Sequence, residues 1–194
     1  MNEFFALIDR LKYIDRWGLM HGVRTENVLE HSAQTAMLAH SLALLENKLS
    51  GAELNAERVA LLGLYHEAAE ALTGDLPTPV KYYNESITAA YKEIEHSAEQ
   101  KICGSIPDML KGELSGYIAQ EKTETERKVV KAADKLAALI KCKQEINSGN
   151  REFAPAFDAT LKSLKESNLK SVEYFLKELL PSFDLPIDTL SEGV

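Results

Sequence analysis

Apolar residues recur three and four positions apart along almost the whole chain, and no stretch alternates convincingly with a period of two. That pattern lays an apolar stripe along one helix after another and leaves no half-buried strand from which to build a sheet. Phe4, Leu7, Ile8 and Leu11 mark a first amphipathic helix, and a connector over residues 16–26 follows, holding the only tryptophan, Trp17. Asn27 reads as the cap of a second helix running to about Glu46, with Glu30 three residues on to close a capping box. Asn55 caps a third, "AERVALLGLYHEAAEAL", which Gly74 stops. Residues 75–81 contain Pro77 and Pro79 and are expected not to form regular helix. Helical spacing resumes over residues 84–103, after Pro107, over 125–147 and over 155–180. The expectation is an all-α bundle of about six or seven helices, a single domain over residues 1–194. At that length a globule buries roughly 70% of its unfolded surface and needs no staples.

Charge and cysteine usage narrow the function. A net charge of −8 argues against a surface for a nucleic-acid polymer, which needs clustered Lys and Arg. Cys103 and Cys142 stand alone, without Cys-x-x-Cys spacing, and read as reduced structural thiols in the cytoplasm. Glu3, Asp9 and Arg10 interrupt the apolar N-terminus, so no signal-peptide core is expected, and no stretch is long enough to span a membrane.

The chemistry gathers in "YHEAAEALTGDLPTPVKYY". On an α-helix His66, Glu67 and Glu70 share one arc, among Leu62, Gly63, Ala69 and Ala71. An unpaired carboxylate in such small, apolar surroundings shifts its pKa or unfolds the region. Asp134 in "KVVKAADKLAALIKC" likewise interrupts an inward stripe of Val130, Ala133, Ala137 and Ile140. His31 lies one turn into the second helix, on the side of Val28 and Leu38. Each has a plainer account when taken alone: a satisfied core histidine, a mixed surface stripe, or a buried pair of Asp134 with Lys or Arg. Together His31, His66, Glu67 and Asp134 offer two imidazoles and two carboxylates, a donor set suited to a first-row divalent ion. His40 turns to the opposite face from His31, His96 sits among glutamates, and His21 lies in the connector.

A His, then a His-acid pair, then a distant Asp resembles the HD-domain metal-dependent phosphohydrolases. "RTENVLEHS", "GDLPTPVKYY" and the early "RW" pair resemble, within them, the bacterial 5′-deoxynucleotidases, and the likeness runs from the first helix to the last. The resemblance implies an enzyme that hydrolyses deoxyribonucleoside 5′-monophosphates by metal-activated water, with one divalent ion such as Co²⁺ or Mn²⁺, working as a homodimer. It assigns His31, His66, Glu67 and Asp134 to the metal. Glu70 becomes the essential carboxylate, Arg16 the phosphate ligand and Trp17 the wall beside the sugar. Asp75, Leu76, Pro77 and Thr78 form the nucleotide loop, with Asp75 also catalytic. Without the likeness, Trp17 reads equally as a core aromatic and Arg16 as a solvated partner of Asp15.

One position departs from the family pattern, where Glu67 stands in place of Asp. The longer arm reaches roughly 1.5 Å further, whereas metal sites tolerate about 0.2 Å, so backbone, rotamer or metal position must adjust. Three outcomes stay open: a working site with altered metal preference, a weakened enzyme, or a nucleotide-binding regulatory protein. Another HD-type phosphohydrolase activity is the enzymatic alternative. The first outcome is favoured, since glutamate is a legitimate ligand and every other matched position is intact.

Overall fold

Side chains accept hydrogen bonds from free N–H groups at the heads of four of the longer helices, and a proline in the first turn removes one such group at another. The computed structural model describes residues 3–191, so residues 1–2 and 192–194 of the expected domain lie outside the described residues. α1 (Phe4–Ile8) tightens directly into a 3₁₀ turn over Asp9–Tyr13. α2 (Val28–Ser50) opens on Asn27, and α3 (Ala56–Leu64) on Asn55. Two single turns follow, α4 (Glu70–Thr73) and α5 (Thr78–Lys81). α6 (Glu85–Ser105) is capped by Asn84, α7 (Asp108–Ile118) follows Pro107, and α8 (Glu124–Asn147) opens on Thr123. α9 (Ala154–Lys165), α10 (Lys170–Tyr174) and α11 (Ile187–Ser191) complete the chain.

The all-α expectation holds; the only extended pairing among the described residues is an isolated bridge between Asp15 and Asn27 that closes the connector. Among the described residues the α-helical segments number eleven, more than six or seven, because long periodic stretches are broken. The third helix stops at Leu64, and its expected continuation becomes a tight turn with N–H to C=O bonds three residues apart, as from Ala68 to Tyr65 and Glu70 to Glu67. The cause is local: His66 Nδ1 lies 2.8 Å from the Gly63 carbonyl, the acceptor an unbroken helix would offer to the Glu67 N–H. Residues 78–81 are helical after all, because Pro79 falls in the first turn, where its missing N–H is not needed. The last helix breaks at Asn168, whose φ of 56° is left-handed, and again at a π-helical turn over Phe175–Leu179. The capping box is only half formed at Asn27, since the Glu30 carboxylate accepts from Arg24 instead; the complete box joins Thr123 and Glu126.

One apolar cluster joins α2, α3 and α8 to the C-terminal segments through residues such as Leu42, Leu62, Leu136 and Val172. A second joins Phe4, Val28, Ala68, Ile102 and Ile118. His66 and Glu67 fall in the chain between Leu62 of the first cluster and Ala68 of the second. Gly63 sets how closely α3 approaches α2: a Cβ there would lie 3.1 Å from the Ala39 Cβ, 3.2 Å from the Ala36 Cα and 3.3 Å from the Thr35 carbonyl oxygen.

A buried clamp fixes the connector that carries Arg16 and Trp17. The Glu145 carboxylate on α8 accepts the Val23 N–H at 2.7 Å, the Arg24 N–H at 3.2 Å and the Asn150 amide at 2.9 Å. Lys141 donates to Glu145 at 2.5 Å and also to the Arg24 carbonyl. Burial opposes charge on Glu145, but Lys141 and these donors outweigh it and hold the carboxyl down at about 2.

Two outcomes follow. Gly63→Ala gains about 1 kcal/mol of helix propensity but meets helix backbone that cannot yield, an overpacking cost of about 1–3 kcal/mol. A net loss of about 1 kcal/mol is expected, read as a lower urea midpoint at unchanged m; an unchanged midpoint would show that α2 and α3 part freely. Glu145 titrates at about 2 in the fold against 4.5 when free, so its stabilisation is complete above pH 4.5 and is lost as pH falls towards 2. Glu145→Gln removes that dependence and costs about 3–5 kcal/mol at neutral pH by stranding Lys141. Parallel pH–stability curves for the two proteins would contradict the clamp.

Candidate metal centre

Three parts of the chain deliver four ligand atoms to one place. α2 carries His31 in its first turn, α8 carries Asp134 in its middle, and the turn after α3 supplies His66 and Glu67. One ligand atom from each lies within 4.8 Å of all the others, the only such group among the described residues. That spread is close to the span of two metal–ligand bonds of about 2.1 Å each. His31 Nε2 stands 3.1 Å from Asp134 Oδ1, and His66 Nε2 stands 3.5 Å from Glu67 Oε1 and 3.9 Å from Asp134 Oδ1. The two imidazole rings are 5.2 Å apart.

The donor chemistry fits a cation. His66 donates through Nδ1 to the Gly63 carbonyl, which puts its lone pair on Nε2, the arrangement of a metal-ligating histidine. That Nε2 is buried and has no hydrogen-bond partner among the described residues. Burial opposes the charged form of Asp134, yet His31 and His66 outweigh it and hold the carboxyl well below the usual carboxylate range. Burial lowers the His31 pKa against the pull of Asp134, whereas on His66 Glu67 and Asp134 outweigh burial and raise it. The plainer account of Asp134 as a Lys or Arg partner does not hold, since its partners are the two histidines.

Glu70 lies outside this four-atom group but close to it. It is 4% exposed, and one carboxylate oxygen has no partner. Burial, Glu67 and Asp75 push its carboxyl up to about 10, with Arg16 opposing. The helical arc expected for His66, Glu67 and Glu70 does not exist. In a turn of three residues, positions i and i+3 eclipse, which stacks Glu70 on Glu67. Burial and Glu67 also raise Asp75, against Arg16 and Lys81. Leu76 and Pro77 are half-buried and Thr78 is exposed at the head of α5.

Arg16 and Trp17 meet at Glu26, which accepts Arg16 Nε at 3.2 Å and the Trp17 indole at 3.0 Å. Arg16 is therefore no partner of Asp15, and burial of its guanidinium is outweighed by Asp134, Glu26, Glu67 and Asp75, which raise its pKa. Trp17 holds a left-handed backbone (φ 62°), a strain of order 1–3 kcal/mol that this contact and its packing on Phe153 help to maintain. A pocket of about 180 Å³ opens beside Arg16 and Trp17, lined also by Glu26, Lys141 and Phe153. A larger groove of about 510 Å³ between α4 and α6 contains none of the four ligands. Sequence reasoning missed Glu26, Glu145 and Lys141; their partners lie up to 122 positions away, apart from the i, i+4 pairing of Lys141 with Glu145.

A family model described as 5′-deoxynucleotidase YfbR-like matches residues 3–183. The 5′-deoxynucleotidase of Citrobacter koseri is 47% identical over 192 residues, spanning 98% of this chain and 96% of that protein. An HD-domain phosphohydrolase from Listeria innocua shares the fold with a TM-score of 0.79 at 26% identity, over 93% of this chain and 88% of that one. A cyanophage S-2L HD phosphohydrolase, solved bound to dA and one catalytic Zn²⁺ ion, shares the fold alone, with a TM-score of 0.63 at 17% identity over 91% of this chain and 96% of that one. A family match across nearly the whole length, on an all-α frame that gathers two histidines and two carboxylates, places the conclusion beyond the fold: this chain belongs to the YfbR-like 5′-deoxynucleotidase family.

Proposed function

We propose that this protein is a metal-dependent 5′-deoxynucleotidase, hydrolysing deoxyribonucleoside 5′-monophosphates to deoxyribonucleosides and phosphate. One observation carries the reading: His31, His66, Glu67 and Asp134 converge within 4.8 Å, in a chain of this family. These four would hold one divalent ion, Mn²⁺, Co²⁺ or a similar metal. When bound, such an ion supplies Lewis acidity towards phosphoryl oxygens and acidifies a water molecule.

The remaining work falls to the chain's own groups. Arg16 grips the phosphate with its planar fork, its guanidinium oriented by Glu26. With a cation at the four ligands, the Glu67 and Asp75 charges that raise the Glu70 carboxyl would be offset, leaving it ionised. Glu70 then orients the attacking water and takes its proton as oxygen bonds to phosphorus in line with the departing 5′ oxygen. Asp75, whose carboxyl burial and Glu67 push upward, returns a proton to that oxygen. Trp17 walls the sugar side, and Leu76, Pro77 and Thr78 hold the nucleotide. Family membership also supports a homodimer. The free thiols of Cys103 and Cys142 support a reducing, cytoplasmic setting. Among the described residues no helix is long and apolar enough to cross a membrane.

Asp134→Ala is expected to empty the site, with metal content by atomic absorption falling from near one to near zero per chain. Glu70→Ala is expected to keep its metal and lose about 10²–10⁴-fold in deoxynucleotide hydrolysis; loss of metal in both variants would make Glu70 a ligand. Glu67→Asp is expected to change the ratio of rates with Mn²⁺ and Co²⁺ by about tenfold in an enzyme that is active either way. An inert wild type beside an active Glu67→Asp would instead describe a binding protein.

A further inference from the structure

Charge at the metal centre does not balance with the groups assigned so far. Glu67, Glu70, Asp75 and Asp134 gather there, and each acts on the charge of at least one neighbouring group. A phosphomonoester adds up to about two negative charges at neutral pH. One divalent ion and Arg16 supply three positive charges. Even with Glu70 protonated, the filled site stays about two charges negative by this count, so an anionic substrate needs another cation.

Four basic side chains feel these carboxylates: Arg16, Lys81, Lys122 and Lys135. Lys135 feels only Asp134 of the four and donates to the Ser163 hydroxyl on α9, whereas Lys122 feels both Glu67 and Asp134. Two are already engaged, Arg16 with Glu26 at 3.2 Å and Lys81 with Glu95 at 2.8 Å. Lys122 differs. Among the described residues no carboxylate lies within 4.0 Å of its ammonium, which donates to the Gln120 side-chain oxygen at 2.8 Å. A neutral acceptor occupies one of the three donors and leaves the charge uncompensated.

The loop that carries Lys122 is built onto the site. Gln120, in a left-handed conformation (φ 51°), donates its amide to the Leu62 carbonyl at 3.2 Å and the Tyr117 carbonyl at 2.6 Å. Leu62 lies in the last turn of α3, four residues before His66. The Thr123–Glu126 capping box fixes the loop's other end. A half-buried lysine is thereby tied to the same end of α3 that delivers His66 and Glu67. Burial and Arg127 lower its pKa, while Glu99, Glu67 and Asp134 act the other way. Lys122 thus stays half-buried in the field of Glu99, Glu67 and Asp134 and pairs with none of them.

We propose that Lys122 is a phosphate-binding residue of the site, meeting the phosphate of the bound monoester and the inorganic phosphate released from it. This rests on the phosphomonoesterase reading above. Gln120 holds the ammonium at the rim, and the incoming phosphate is the counter-ion it lacks.

Calorimetric titration of inorganic phosphate into the Mn²⁺-loaded protein reads this without turnover. Lys122→Met is expected to weaken phosphate binding about tenfold, the loss of one charge-assisted contact. Metal stoichiometry and thermal midpoint stay at wild-type values. Lys122→Arg keeps the affinity within about threefold, since the charge remains. Lys177→Met, which removes the same charge from an exposed position beside Glu178, leaves it unchanged. In steady state KM for a deoxynucleoside monophosphate and Ki for phosphate rise together in Lys122→Met, with kcat within about twofold of wild type. Equal phosphate affinity in Lys122→Met and wild type overturns the proposal, as does an equal loss in Lys177→Met or a wild type that binds no phosphate. A wild type that binds phosphate but cleaves no deoxynucleotide overturns the functional reading instead, and the titrations still decide Lys122.

Discussion

Four carboxylates and two imidazoles crowded into one partly dry region would repel or neutralise one another, and the fold keeps them together nonetheless. At 4 Å two like charges repel by about 1 kcal/mol in water and about 4 kcal/mol near a protein surface. The protein's groups already relieve part of this, through the histidines on Asp134 and the protonated state into which burial drives Glu70. A buried imidazole nitrogen and a buried carboxylate oxygen still lack partners, and such atoms call for an ion, a water or a ligand. A divalent cation answers the repulsion and the orphaned lone pair of His66 at once.

The geometry that gathers these groups depends on backbone as much as on side chains. Gly63 lets α3 lie against α2 and also offers the carbonyl that fixes the His66 ring, so one residue sets both the distance and the tautomer. Across the site, Glu145 and Lys141 bolt the connector of Arg16 and Trp17 to the helix that carries Asp134. The connector of Arg16 and Trp17 and the helix of Asp134 are therefore tied together. That coupling serves a reaction in which an error of 1 Å in placing a reacting group is costly.

Much of this was legible in the chain because the signals are local. The asparagine caps of α2 and α3 follow from side-chain chemistry within three residues, and the helical period survives through the long helices. The four-ligand group was readable because its residue types are expensive in apolar stripes. The break after Leu64 was not readable, since it depends on which acceptor His66 Nδ1 takes once the ring is turned inward. Glu26 escaped notice beside a capping asparagine, although its carboxylate organises both Arg16 and Trp17. Glu145 escaped for another reason: its partners Val23 and Arg24 are more than a hundred residues away, and a Lys-Glu pair at i, i+4 usually lies on a solvated helix face.

Glu67 ties the backbone break to the chemistry. In a continuing α-helix its side chain would point about 100° from His66, and only one of the two could face the site squarely. Ending α3 at Leu64 replaces that geometry with three-residue turns, which swing adjacent side chains differently and stack Glu67 over Glu70. The glutamate arm, one methylene longer than aspartate, then brings a carboxylate oxygen to 3.5 Å from His66 Nε2 and into the four-atom group. The extra rotatable bond also allows that oxygen a wider range of positions than aspartate has. A ligand so placed accommodates ions of different radius with less backbone movement. On the proposed reading, glutamate at position 67 thus bears on which metal the site would prefer more than on whether it would hold one.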